Sequence, residues 1–177
     1  MPNLSPIERW YVLTVKPRHE QAVAGALALK GMESYAPTYL VRRQWSDRLK
    51  TIAQPLFPGY VFCRASLENR TPILRTIGVR GIVSFGGLPH PVPDDELSAV
   101  MQMTSSGLPI EPLAYLRNGE QVRVVDGPLR GLSGIVIHSD AGSRVVIGIE
   151  MLQRSVAAQL DRWCLQPVKP LRAAFSA

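Results

Sequence analysis

Residues 10–20 of the chain read WYVLTVKPRHE. The run from Arg9 to Val15 is rich in aromatic and β-branched residues, which favours a β-strand. A proline follows, as is common in the first turn of a helix, and Gly31 stops the helical pattern. The apolar residues that recur at helical spacing in between are Ala22, Ala26 and Leu29. The stretch therefore predicts a strand that leads directly into a helix.

Downstream of this helix, extended segments alternate with turns up to about residue 104. A polar turn is expected at residues 46–50. The predicted elements are neighbouring antiparallel strands at 33–45 and 57–65, a short helix at 70–76, a short strand at 81–85 and a helix at 94–103. The last helix begins with acidic residues, which suit the positive end of a helix dipole.

The character of the sequence changes after this helix. Residues 105–115 read SSGLPIEPLAY and show no period, which is typical of a linker between domains. From Gly119 onward, short alternating strands separated by glycine-rich turns predict a small closed β-barrel, with a hairpin turn at residues 140–143. Residues 151–163 fit both a helical and a strand period, so their structure stays open.

The charge of the chain is unevenly distributed. The 177 residues include 20 Lys and Arg against 14 Asp and Glu, a net charge of +6. Before Pro91 there are twelve basic and five acidic residues. The first part of the chain is therefore expected to contact a polyanion, although the basic residues between 42 and 50 fit a simple solvated face equally well.

Nothing in the sequence predicts an enzyme, a metal site or a cofactor. It contains no phosphate-binding loop, no zinc-protease motif and no nucleophile elbow, and its three histidines are scattered. Cys63 and Cys164 lack neighbouring ligands and are predicted to be reduced, buried packing residues. Without a signal sequence or a long apolar run, the protein is expected in the cytoplasm and not in a membrane.

Residues 55–62 read PLFPGYVF, which places two prolines, a glycine and three aromatic residues in one short run. Such a strand is expected to be bent. Because side chains alternate along a strand, Tyr60 and Phe62 share one face of it. Aromatic side chains on a sheet face form either part of the core or a docking surface for an apolar partner, and the pattern leaves both open.

Taken in order, WYVLTVKPRHE, PLFPGYVF and GEQVRVVDGPLRGLSGIV resemble the N-terminal domain and the KOW motif of NusG-class transcription elongation factors. The resemblance runs from about Trp10 to Val168. RRQWSDR, VSFGGLPHPVPDDEL and MLQRSVAAQLD are similar to the specialised UpxY and RfaH-like antiterminators of this class. The resemblance implies an α+β N-terminal domain at residues 8–104, a linker at 105–115, an SH3-like KOW β-barrel at 116–169 and a tail at 170–177.

The same resemblance implies a function on bacterial RNA polymerase, exerted by a monomer and without covalent chemistry. The N-terminal domain would bind the clamp helices of the largest subunit, bridge the cleft to the second-largest subunit, and suppress pausing and termination at particular operons. The residues that match the polymerase-binding surface are Phe57, Pro58, Tyr60, Phe62 and Thr14, with Phe57 and Tyr60 as anchors. The residues that match the cleft-bridging segment are Thr71, Arg75 and Thr76.

Nucleic-acid contact is implied as well, because members such as RfaH read the exposed non-template DNA strand beside the first helix. The matching residues here are Lys16, Arg18 and His19. Ala22 and Ala26 stand where such readers carry basic or polar side chains, so base-specific reading is left open.

The KOW barrel would recruit a ribosomal protein or a termination factor. Its turn-forming residues are predicted to be Gly127, Pro128, Gly131 and Gly134. In RfaH this domain can fold as a helical hairpin instead, and the two periods of residues 151–163 allow such a switch here. Two other interpretations stay open: a KOW-containing, ribosome-associated RNA-binding protein, and a housekeeping NusG that acts on most genes.

Overall fold

The computed structural model describes residues 7–45, 48–114, 119–139 and 142–168. They belong to two compact units that meet in sequence between Ser98 and Ala99. The strands of the first unit are β1 (Arg9–Val15), β2 (Ser34–Tyr35), β3 (Thr38–Trp45), β4 (Arg48–Pro55), β5 (Tyr60–Ala65), β6 (Val79–Ile82), β7 (Ser84–Phe85) and β8 (Leu88–Pro89). The helices are α1 (Glu20–Leu29), α2 (Thr71–Leu74) and α3 (Asp94–Ser105), and α3 crosses the boundary between the units.

The first unit is built on a four-stranded antiparallel sheet in the order β2-β5-β1-β6. Helix α1 contacts β5 and β2. The buried residues of this core are Leu13, Val15, Val23, Leu27, Val61, Cys63, Ala65 and Ile73. Burying each valine or leucine side chain contributes about 1.5–3 kcal/mol, so this layer is a main source of stability in the unit.

The predicted strand at Arg9–Val15 and the helix that follows it are confirmed, but the predicted inner face of the helix is wrong. The structure buries Val23 and Leu27 completely, whereas Leu29 is 91% exposed. Val23 and Leu27 are spaced by four residues and offer the sheet larger apolar side chains than the alanines do. The helix ends at Leu29, and Gly31 follows with a φ of 76°.

The extended segment predicted at 33–45 is two strands, because Pro37 lacks the N–H needed to continue a ladder. The first of these, β2, is a neighbour of β5, as predicted. Strand β4, which begins at Arg48, was not predicted, and it pairs with β3 in a separate two-stranded ribbon. Residues 48–50 therefore belong to this strand and not to a turn.

The remaining predicted elements of the first unit are present with shifted ends. The helix predicted at 70–76 is the four-residue α2, and the helix predicted at 94–103 extends to Ser105. The strand predicted at 81–85 is divided between β6 and β7. Such shifts of two or three residues are normal where an element frays into a turn.

The second unit contains a six-stranded antiparallel sheet in the order β14-β10-β11-β12-β13-β9. Its strands are β9 (Ile110–Ala114), β10 (Glu120–Val124), β11 (Ser133–Ser139), β12 (Gly142–Ile149), β13 (Arg154–Leu160) and β14 (Leu165–Pro167). Strand β9 lies within the sequence predicted as a linker and pairs with β13. Its Pro112 is tolerated because β9 is at the end of the strand order. The division into domains at 8–104 and 116–169 stays a prediction.

Residues 154–160, whose period was ambiguous, form β13. Four successive residues of this strand, Ser155 to Ala158, are buried. A strand covered on both faces shows no clean alternation of polar and apolar residues, which explains why two periods fitted its sequence. The predicted hairpin turn falls partly on residues 140 and 141, which lie outside the described residues. The strands on either side of it pair through Ser139 and Gly142.

Both cysteines are free and buried, which confirms their predicted packing role. Burial raises the pKa of the Cys63 thiol to about 11, and the charge of Glu8 acts in the same direction. Burial also raises the pKa of Cys164, with smaller effects from Asp126 and Asp161. These thiols are therefore held in the unreactive protonated form at neutral pH. In the part of the chain that the structure describes, no helix is both long and apolar enough to cross a membrane.

Candidate functional site

Three turns lie side by side at one end of the four-stranded sheet. They are turn A (residues 16–19, after β1), turn B (residues 57–60, before β5) and turn C (residues 76–79, before β6). The N–H of Val15 donates to the carbonyl of Gly59 at 2.9 Å, and the N–H of Lys16 donates to the carbonyl of Gly78 at 2.8 Å. The three sets of residues that the sequence assigns to nucleic acid, polymerase docking and cleft bridging therefore come from adjoining segments.

All three turns have the same geometry, in which the third residue has a positive φ. The three residues are Arg18 at 64°, Gly59 at 84° and Gly78 at 99°. In each turn the fourth N–H donates to the first carbonyl, at 3.0 to 3.1 Å. Turns A and B also have proline in second place, which together with a positive φ in third place is the pattern of a type II turn. A non-glycine residue in this conformation costs about 1 kcal/mol, so Arg18 is a strained residue in a place that suits glycine.

Turn A presents the predicted nucleic-acid-binding residues to solvent. Lys16, Arg18 and His19 are all exposed. His19 is also the cap residue of α1, and its Nδ1 lies 3.0 Å from the carbonyl oxygen of Pro17, which can only accept. The two exposed cationic side chains, Lys16 and Arg18, favour an anion such as a phosphate.

Glu20, the first residue of α1, ties this helix to turn B. It is only 3% exposed, and its Oε1 accepts a hydrogen bond from the N–H of Gly59 at 2.7 Å. A hydrogen bond to a buried carboxylate is stronger than one between neutral groups. The sequence signals Glu20 only as an acidic residue in a first helical turn, so this link between α1 and turn B could not be predicted from it.

Gly78 packs turn C directly against α1 and turn A. A Cβ atom at this position would lie 2.8 Å from Cγ2 of Val23 and 3.5 Å from Cβ of His19. No ordinary side chain fits there without movement of the helix. The close approach explains why glycine is needed here, a requirement that the sequence does not reveal.

Of the predicted polymerase-binding residues, Thr14, Tyr60 and Phe62 lie on the sheet face opposite α1, because the alternate residues of β1 and β5 pack with Val23 and Leu27. Thr14 is paired with Tyr60 across β1 and β5. Pro58 is exposed, and Tyr60 and Thr14 are partly exposed. The hydroxyl of Thr14 donates to the carbonyl of Gly81 at 3.3 Å. These three residues form a small, partly apolar surface next to turn A.

Phe57 and Phe62 differ from the prediction. Their side chains are 1% and 0% exposed. The two rings pack edge to face, with centroids 5.5 Å apart and planes at 83°, an arrangement favoured by aromatic quadrupoles. An anchor must be accessible to its partner, so in this structure Phe57 does not present the surface that its predicted role requires. It packs on Phe62 beneath the accessible residues.

The predicted cleft-bridging residues are also divided between surface and core. Thr71 and Arg75 are exposed, but Thr76 is only 4% exposed. The hydroxyl of Thr76 donates to the carbonyl of Pro72 at 2.9 Å and accepts from Nζ of Lys30 at 2.7 Å. Thr76 therefore holds the end of α2 in place with help from Lys30, which no local sequence pattern marks.

Of the turn-forming residues predicted for the second unit, Gly127 and Gly131 have φ angles of 84° and 90°, and Pro128 is exposed between them. Gly134 differs, because it lies inside β11 and is not a turn residue. A Cβ atom at Gly134 would lie 2.7 Å from the carbonyl oxygen of Val146 on β12. This glycine is needed for close packing between strands.

Comparison with known protein families gives a match to the family of transcription termination factor NusG over residues 8–101. This range is more than half of the chain and includes turns A, B and C. The chain therefore belongs to the NusG family.

Two individual relatives extend the similarity beyond the matched range. The transcription termination/antitermination protein NusG of Pseudomonas aeruginosa is 28% identical over 168 residues, which cover 87% of this chain and 95% of the relative. The protein of the same name from Thermus thermophilus is 31% identical over 137 residues, covering 69% of this chain and 72% of the relative. The similarity thus includes both units.

The fold is shared with a solved structure described as "Domain interaction in Thermotoga maritima NusG". The match covers 92% of this chain and 98% of that chain, with 21% sequence identity and a TM-score of 0.50. At this identity the comparison supports the fold alone.

Proposed function

We propose that this chain is a transcription factor that binds bacterial RNA polymerase during elongation and suppresses pausing and termination. The observation that carries the proposal is the adjacency of turns A and B. An exposed cationic turn lies beside a partly apolar surface, and the residues on either side of turn A hold turn B through the Val15–Gly59 and Glu20–Gly59 hydrogen bonds. A protein that sits on polymerase next to exposed DNA needs both surfaces in a fixed relation. The names of the similar NusG proteins support the same conclusion.

Docking on the clamp helices of the largest subunit would use Pro58, Tyr60 and Thr14. Tyrosine is typical of the few residues that dominate a protein interface, since it offers a large rigid ring and a polar tip. Phe57 and Phe62 would support this surface from beneath. Tyr60 would thus be the accessible anchor of the docking surface, and Phe57 would be a packing residue beneath it.

The cleft would be bridged toward the second-largest subunit by Thr71 and Arg75, which are exposed on and next to α2. Such a bridge acts by differential affinity. If the factor binds the closed, elongating polymerase ten times more tightly than the paused form, it shifts their ratio tenfold, which corresponds to about 1.4 kcal/mol. No covalent step is required.

Lys16, Arg18 and His19 would contact the non-template DNA strand at the same time. Phosphate contacts fix the position of a protein on nucleic acid without reading its sequence. They would therefore orient the factor, whereas any preference for particular bases needs further contacts.

The second unit would form a KOW β-barrel that recruits a ribosomal protein or a termination factor. Its six-stranded antiparallel sheet and its glycine turn at residues 127–131 support this assignment. Action at particular operons is the narrower proposal, and it rests on the UpxY-like sequence strings. Transcript profiling of a deletion strain tests it: a few long operons lose their distal transcripts if it is correct, whereas most genes change if the protein is a general NusG.

The docking proposal is tested by the affinity of core RNA polymerase for a Tyr60→Ala variant. Loss of an interface anchor costs at least about 2 kcal/mol, which is about a thirtyfold weaker Kd. Tyr39→Ala is the matched control, because Tyr39 is a partly buried tyrosine on the β3–β4 ribbon. Equal affinities of the wild type and the Tyr60 variant would refute docking through this face. Phe57→Ala is unsuitable, since removal of a buried ring destabilises the fold by about 3–5 kcal/mol.

A further inference from the structure

One edge of the six-stranded sheet in the second unit is formed by β9, which lies within the sequence predicted as a linker. It pairs with β13 over five residues, whereas β12 pairs with β13 over seven. None of the five residues of β9 is buried, and Pro112 in its middle has no N–H to donate. Strand β9 is therefore held by few apolar contacts and by an incomplete set of backbone hydrogen bonds.

Strand β13, in contrast, is firmly part of the sheet. Its residues from Ser155 to Ala158 are buried, although they lie next to the edge strand. Without β9, the backbone N–H and C=O groups on this side of β13 would form a free edge, which is a template for pairing with another chain. An extended segment of a partner protein can therefore use this edge, provided that β9 leaves it.

One buried polar group beside β9 is left unsatisfied. Ser155 is only 2% exposed, and within the described residues its Oγ has no hydrogen-bond partner. It is paired with Gly148 on β12 and with Leu113 on β9, and neither neighbour has a polar side chain. A buried hydroxyl without a partner is unfavourable. Strand β9 is thus an imperfect occupant of this edge, and a polar side chain in place of Leu113 would suit Ser155 better.

The side chains of β9 indicate which kind of segment the edge accepts. Glu111 lies opposite Ala157, and its carboxylate accepts a hydrogen bond from Arg144 on the far side of β13. The two charged side chains are 51% and 34% exposed, so their ion pair holds β9 only weakly. A competing segment would keep an acidic residue at this position, where it meets Arg144.

We propose that β9 is a detachable strand, and that the edge of β13 binds an extended acidic segment of a partner protein once β9 has left. The inference rests on the proposed recruiting function of the second unit and adds how recruitment is regulated. While β9 is in place, the partner competes with a strand of the same chain. If β9 is detached in about one molecule in a hundred, the measured affinity is about 100-fold weaker than that of the open edge.

The first test is amide hydrogen exchange of the full chain, read by NMR and corrected for intrinsic rates. The N–H groups of a strand between two antiparallel neighbours point alternately to each, so β13 has one set facing β12 and one facing β9. The set facing β9 should exchange roughly 100-fold faster, because detachment of one strand needs less free energy than unfolding of the sheet. Equal rates for the two sets would overturn the proposal.

The second test supplies the strand as a separate peptide. A peptide of residues 108–115, LPIEPLAY, is titrated into the isotope-labelled full chain, and shifts of the β13 amides report binding. The chain carries Ile110→Pro and Leu113→Pro, which remove two further N–H donors from β9. This variant should bind the peptide more tightly than the wild type, by about the factor that hydrogen exchange gives. A Glu111→Lys peptide is the control, and it should bind more weakly because it places a lysine against Arg144.

The proposal is supported if the open variant is folded and binds the wild-type peptide in preference to the control peptide. It is overturned if the folded variant does not bind, if the wild-type chain binds equally well, or if the two substitutions unfold the second unit, since β9 would then be an integral strand. Neither assay contains a partner protein, so failure here removes the detachable strand alone. The recruiting function fails separately, if neither a ribosomal protein nor a termination factor binds the open variant.

Discussion

The bond between Glu20 and Gly59 should contribute measurably to the stability of the first unit. In a Glu20→Ala variant the N–H of Gly59 loses its 2.7 Å acceptor, which is a carboxylate only 3% exposed. Hydrogen bonds to charged groups contribute about 1.5–3 kcal/mol, and an acidic residue at a helix N-terminus adds about 0.3–1 kcal/mol. We therefore expect the free energy of unfolding to fall by about 2–4 kcal/mol.

Urea denaturation followed by fluorescence measures this change, with Glu33→Ala as the control. Glu33 is also a glutamate, but its side chain is 59% exposed and pairs with Arg64 at 3.4 Å, so its loss should cost at most about 1 kcal/mol. Glu20→Gln keeps an acceptor, so its loss of unfolding free energy should lie between those of Glu20→Ala and Glu33→Ala. If Glu20→Ala and Glu33→Ala unfold at the same urea concentration, α1 and turn B are not coupled through this carboxylate.

Three further predictions follow from single residues. Gly78→Ala should destabilise the fold by about 2 kcal/mol or more, measured by urea denaturation. The added Cβ would lie 2.8 Å from Cγ2 of Val23, and the residue would have to keep a φ of 99°. Unchanged stability would contradict this packing. Arg18→Asn should change the free energy of unfolding by no more than about 1 kcal/mol, since asparagine tolerates a positive φ. The same variant should bind single-stranded DNA more weakly than the wild type. Equal binding would show that Arg18 only faces solvent. Cys63, with a pKa of about 11, should be about a hundredfold less ionised at pH 8 than a thiol with the ordinary pKa of 9.0. It should react with a thiol reagent only on unfolding, and rapid labelling of the folded protein would contradict its burial.

The raised pKa of Cys63 also predicts how the free energy of unfolding changes with pH. Its pKa is raised in the folded state, so the unfolded chain loses this proton first as the pH rises. The stabilising effect of the protonated thiol is complete below pH 9 and is lost between about 9 and 11. Cys63→Ala should therefore show a shallower fall in unfolding free energy across this interval than the wild type does.

Local patterns predicted those elements whose residues decide their own conformation. β1 is a continuous β-branched and aromatic run, and α3 begins with three acidic residues, so both were predicted close to their observed bounds. β4 has a weaker pattern, RLKTIAQP, because an exposed ribbon places no demand on its apolar residues. It was missed for that reason.

The residues of the candidate site form local sequence motifs, but the contacts that join them are not local. The motifs pointed to turns A and B, but the bond from Glu20 to Gly59 joins residues 39 positions apart. The burial of Phe57 likewise depends on the ring of Phe62 and on the register of β5, which no local period encodes. The sequence pointed to the run PLFPGYVF without dividing its aromatic residues between surface and core.

Under the docking proposal, the surface around Tyr60 contacts the largest subunit of RNA polymerase. The most direct measurement places a photo-crosslinking amino acid at position 60 in the full chain and identifies the subunit that is captured in an elongation complex, with position 39 as the control. We predict a crosslink from position 60 to the clamp helices of the largest subunit, and none of comparable yield from position 39. Capture of a different subunit, or equal yields from both positions, would rule out docking of the clamp helices on the surface around Tyr60.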